Sequence, residues 1–119
     1  MRAVIFAPLG LALSIAWGGP SRAADYAPID CRQAASASER AVCENYLLGQ
    51  DEARMATLFQ IATSMVGMGQ RAQLQDDQRS FLSARNGCSD DVACLQRIYD
   101  ARIQALQVVL NRIAQRGPF

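Results

Sequence analysis

The stretch from Gln78 to Leu106, QRSFLSARNGCSDDVACLQRIYDARIQAL, decides the fold. Its first part spaces Gln78, Phe81, Leu82 and Arg85 three and four residues apart, and its last part does the same with Leu95, Tyr99, Ile103 and Leu106. Such spacing stacks side chains on one face of a helix. Between the two runs, Asn86-Gly87 is a natural helix stop, and Ser89, Asp90 or Asp91 can cap a new start. Cys88 and Cys94 bracket that elbow. The segment reads as two amphipathic helices joined by a short turn that a disulfide can staple.

The same periodicity extends outward. Downstream, Leu110 and Ile113 prolong the apolar stripe until Gly117-Pro118. Upstream, Leu74 belongs to the first helix, Gly67-Met68-Gly69 interrupts, and Met55, Leu58, Phe59, Ala62 and Val66 mark another buried face. That helix is expected to begin near Asp51, with Gly49 separating it from a short helix through Arg40-Ala41-Val42-Cys43. Ser36-Ala37-Ser38-Glu39 fits a capping box, in which a serine oxygen and a glutamate satisfy first-turn amides reciprocally. No apolar-polar alternation of strand type runs for any useful length. The expectation is all-α: a small antiparallel helical hairpin or bundle stapled by two disulfides.

Residues 1–23 read as a secretory signal peptide. Met1-Arg2 gives a positive start, Ala3 to Trp17 is largely apolar, and Ser21-Arg22-Ala23 places small residues before a cut ahead of Ala24. The apolar run is short of the roughly 20 residues that span a bilayer, so no membrane anchor is expected after cleavage. Cys31 follows Pro28-Ile29-Asp30, which is no lipoprotein box. The remaining domain, residues 24–119, opens on a loose arm from Ala24 to Ile29 and belongs in the periplasm or outside the cell. All 12 basic residues are arginine, and two of them, Arg2 and Arg22, fall in the leader. The rest nearly balance the 11 carboxylates, which argues against nucleic acid as a partner.

Four cysteines in a short exported chain imply disulfides. Three pairings are possible. Proximity to helix ends favours Cys31–Cys43 and Cys88–Cys94, worth about 3 and roughly 2 kcal/mol in loop-closure entropy, although crossed pairs would close longer loops. No Cys-x-x-Cys knuckle is present, so neither a metal nor another cofactor is expected.

The chain has no histidine, which removes the commonest general base. Asp76-Asp77 and Asp90-Asp91 are adjacent, and neighbours on a helix point about 100° apart, away from any shared substrate. The first pair reads as a solvated face and the second as helix capping. Enzymatic activity is not expected. Arg85 and Arg102 fall on or beside apolar stripes, and together with Arg79 they can either anchor a partner or pack their stems on the core. For the second role, Asp90, Asp91 and Asp100 are the candidate acids. Tyr99 reads as core with its hydroxyl on a polar group. Met65 and Met68, among glycines, read as a mobile turn between helices.

With these residues in place, the chain resembles the LprI-type lysozyme inhibitor family of small exported cysteine-bearing domains. The likeness runs from Ile29 to about Leu106. It begins with Asp30-Cys31, Ala34, Glu39 and Ala41-Val42-Cys43, and continues through Leu48, Asp51 and Met55. Its densest part is Gln78-Arg79, Phe81-Leu82, Arg85-Asn86, Cys88, Asp91, Cys94-Leu95, Tyr99, Arg102-Ile103 and Leu106. Phe81 stands where the family usually has tryptophan, and the lipoprotein attachment of its namesake is not visible. The resemblance implies a non-catalytic protein that binds lysozyme, or another peptidoglycan-cleaving enzyme, and occludes its cleft. The matching residues themselves read as scaffold. The alternative is an envelope adaptor that binds another protein or ligand.

Overall fold

The computed structural model describes residues 28–117; the expected signal peptide and most of the expected arm lie outside them. Four helices follow in order: α1 (Ala37–Glu44), α2 (Tyr46–Ser64), α3 (Met68–Gly87) and α4 (Val92–Ala114). The all-α expectation holds. The capping box at α1 forms as read: Ser36 Oγ accepts from the Glu39 amide, and Glu39 Oε2 accepts from the Ser36 and Ala35 amides. Such a cap contributes about 1 kcal/mol to a helix too short to persist alone.

The break between α1 and α2 falls elsewhere than expected. Asn45, in extended backbone, ends α1 and caps α2, its side-chain oxygen accepting from the Leu48 amide. Gly49 lies inside α2 and donates a regular helical bond to Asn45 O. Asp51 is therefore no cap; its carboxylate accepts from Gln96 Nε2. An asparagine that satisfies two helix ends at once outweighs a glycine, whose cost in a helix interior is below about 1 kcal/mol.

The three long helices form an up-down-up bundle. Contacts between Gln78 and Met55, and between Arg71 and Thr63, run α3 antiparallel to α2. Contacts of Arg102 with Leu74 and Gln78, and of Tyr99 with Phe81, run α4 antiparallel to α3. Consequently α2 and α4 lie side by side in the same direction, Asp51 meeting Gln96 and Phe59 meeting Arg102. Arg71 closes the α2–α3 turn by donating to the carbonyls of Thr63 and Val66, which the helix end leaves unpaired.

Leu48, Met55, Phe59, Ala62, Leu74, Phe81, Leu95, Tyr99, Ile103, Leu106 and Ile113 make one continuous core. Each large side chain withdrawn fully from water contributes about 1.5–3 kcal/mol before entropy is charged. Cys31 is bonded to Cys43 and Cys88 to Cys94, as proximity favoured. The first bond straps residues 28–33 across α1 and α2. The second closes the α3–α4 elbow, where Asp91 caps α4 by accepting from the Cys94 amide and Ser89 holds a left-handed φ of 53°. Both disulfides lie at the same end of the bundle. Exposed Met65 and Met68 flank the turn at the other end.

Candidate binding site

The residues of the Gln78–Leu106 stretch do not face solvent together; most converge on a polar seam inside the core. It starts at Glu52, on the buried stripe of α2 and only 5% exposed. Tyr99 donates its hydroxyl hydrogen to Glu52 Oε2 at 2.5 Å, and the Ile29 amide donates to Oε1 at 3.3 Å. Arg85 stands between two carboxylates, 3.8 Å from Glu52 and 3.4 Å from Glu39. Burial, followed by the negative charge of Glu52, pushes the Tyr99 phenol well above its ordinary value. Glu39 is held below the usual carboxylate range, chiefly by the Ala35 amide, with help from Ser36, Arg85 and Arg40 and against the effect of burial.

A second knot adjoins the first. Arg102 donates through Nε to Gln78 Oε1 at 3.0 Å and through Nη2 to the Leu74 carbonyl at 3.2 Å. Its guanidinium carbon lies 5.8 Å from the centre of the Phe59 ring, a cation-π arrangement. Burial lowers the Arg102 pKa, and Asp77 counters part of that. Phe81 meets Tyr99 edge to face, with ring centroids 5.1 Å apart.

Arg85 and Arg102 are thus packed residues, and their partners differ from the acids expected. Asp91 is used as a helix cap, and Asp100 takes a contact from Gln96. Glu39 and Glu52 replace them at Arg85 because α1 and the start of α2 pack against the C-terminal end of α3. Arg79 is exposed and pairs with Asp76 one turn away. Asn86 accepts from Ser38 Oγ, tying α1 to the elbow. Glu52 is not among the residues that the sequence singles out, although its position carries a signal. Continuing the stripe backwards from Phe59 and Met55 lands on Glu52 and then Leu48.

Beside this seam lies a hollow of about 440 Å³. The strap supplies one wall through Ile29 and Asp30, and Met55, Ala56, Phe59 and Leu82 give an apolar face. Glu39, Glu52, Gln78 and Arg85 provide its polar side. A second hollow, of about 370 Å³, opens on the other side of Ile29 towards exposed Tyr46. No group of three or more His, Cys, Asp or Glu side chains among the described residues is placed to hold a metal ion. Nor is any helix among them long and apolar enough to cross a membrane. No protein-family model, curated protein or solved structure matches this chain.

Proposed function

We propose that this is an exported, non-catalytic binding protein of LprI type that engages lysozyme, or a related peptidoglycan-cleaving enzyme, and blocks its cleft. The observation that carries the reading is the fate of the motif residues. Gln78, Phe81, Arg85, Tyr99 and Arg102 meet in one buried seam, next to an elbow closed by Cys88–Cys94. Residues so placed define a scaffold, which is what a family of binding modules with differing partners would hold in common. Two disulfides in so small a chain suit an oxidising compartment, the setting in which such enzymes act.

The test is direct. Oxidised protein is added in molar excess to a c-type lysozyme, and lysis of bacterial cell walls is followed by turbidity. Slowed lysis with no turnover by the protein alone is the expected result. Unchanged lysis, repeated with the other lysozyme classes, would remove the inhibitor reading.

A further inference from the structure

The hollow between the strap and helices α2 and α3 has a one-sided surplus of hydrogen-bonding groups. Its acceptors are engaged. Glu52 takes Ile29 and Tyr99, Glu39 takes Ala35, Ser36 and Arg85, and Gln78 Oε1 takes Arg102. Two of its donor atoms are less well served. Arg85 Nε is buried without a hydrogen-bond partner among the described residues. Gln78 Nε2 donates to the Met55 thioether, at 3.2 Å, a weak acceptor. The amide cannot be turned round to change this, because Gln78 Oε1 must face the Arg102 donor. A buried donor left unmet is costly, because it has lost its water without gaining a partner. One donor unmet and one weakly met beside the same hollow call for an acceptor.

Size and charge narrow what that acceptor belongs to. A hollow of about 440 Å³ falls within the range of small-ligand sites, about 300–1,000 Å³, where a single water needs about 30 Å³. Asp30, Glu39 and Glu52 outnumber Arg85 around it, which disfavours an anion. Ile29, Met55, Ala56, Phe59 and Leu82 offer an aliphatic and aromatic wall. We infer that the hollow binds a small neutral amide with an aliphatic body, whose carbonyl oxygen accepts from Gln78 Nε2 and the Arg85 guanidinium. The contacts of Arg85 with Glu39 and Glu52, at 3.4 and 3.8 Å, are long for charge-assisted bonds of about 2.7–2.9 Å, so the guanidinium keeps donor capacity for such a carbonyl. This site is independent of the lysozyme reading, and either can fail alone.

The experiment is an NMR titration of the isotopically labelled, oxidised chain with N-acetyl-leucine methylamide. Isoamylamine, which keeps the aliphatic body without the carbonyl, and isovalerate, its anionic counterpart, serve as controls. The amide should give saturable shifts at the Gln78 side-chain amide and the Arg85 Nε–H, and the controls should not. Leu82→Trp fills the hollow from its rim and should weaken binding about tenfold or more while helical circular dichroism is kept. Should that variant fold poorly, intermolecular Overhauser contacts from the probe methyls to Phe59 and Leu82 decide the matter in the unaltered chain. No saturable shift, an equal response to the amine, or contacts elsewhere on the surface would each overturn the inference.

Discussion

Tyr99 of α4 donates its phenolic hydrogen to Glu52 Oε2 of α2 at 2.5 Å, inside the core and across 47 residues of chain. Both partners are almost wholly withdrawn from water. The pair fixes the register of two helices that run side by side in the same direction without being joined in sequence. Tyr99→Phe keeps the ring and its edge contact with Phe81 but leaves Glu52 short of a donor. A loss of about 1–3 kcal/mol is expected in urea unfolding followed by circular dichroism. A change within about 0.5 kcal/mol, the usual size for an unremarkable surface site, would mean the bond adds nothing.

The same pair shapes stability against pH. The folded-state pKa of Tyr99 lies above its ordinary 10.0, through burial and then the charge of Glu52. The folded chain therefore holds this proton after the unfolded chain has released it. Its contribution is complete below about pH 10 and falls as pH rises above that value. Tyr99→Phe should show a shallower alkaline decline than the parent chain. At the acid end the sign reverses. Glu39 is depressed below 4.5 by the Ala35 amide, so its contribution is present above that pH and is lost as acid protonates it. Glu39→Gln should flatten the acid limb.

Gly49 occupies a regular position in α2, and a methyl group there would make only an ordinary contact, 3.6 Å from the Val42 carbonyl oxygen. Gly49→Ala removes backbone freedom from the unfolded chain without strain in the folded one. It should stabilise by about 0.5–1 kcal/mol, read as a raised midpoint in thermal unfolding. A lowered midpoint would show that α1 and α2 lie closer than described.

Ser89 is the one non-glycine residue among those described with positive φ, at 53°. It sits in the tight loop between Cys88 and Cys94. A β-branched side chain is poorly tolerated in that conformation, and glycine adopts it freely. Ser89→Val should lower stability by about 1–2 kcal/mol relative to Ser89→Gly. Equal stability of the two variants would refute the left-handed turn.

Much of this fold is legible in the sequence because its determinants are local. The Ser36–Glu39 capping box, the Asn86-Gly87 stop and the Leu95–Ile113 stripe each act within a few residues, and each appears where expected. The same holds for both disulfides, whose partners are neighbours in the chain. What local reasoning misses is partner choice over long separations. Sequence proximity offers Arg85 the acids near the elbow, whereas the packing of α1 and α2 delivers Glu39 and Glu52. The start of α2 eludes local reading for a different reason: the Asn45 cap competes with a nearby glycine. The hollow beside Gln78 is likewise invisible in one dimension, since its walls come from a strap and three helices.

The placement of the two sulfur bridges divides the molecule mechanically. One pole carries both covalent links, the Arg85 ion pairs and the Tyr99–Glu52 bond. The opposite pole, where α2 turns into α3, is closed by Arg71 and bordered by exposed Met65 and Met68. Fluctuations should therefore open the bundle from the methionine pole. Amide exchange there should outpace that around Cys88, and a partner that demands adaptation of shape will find it at the soft pole.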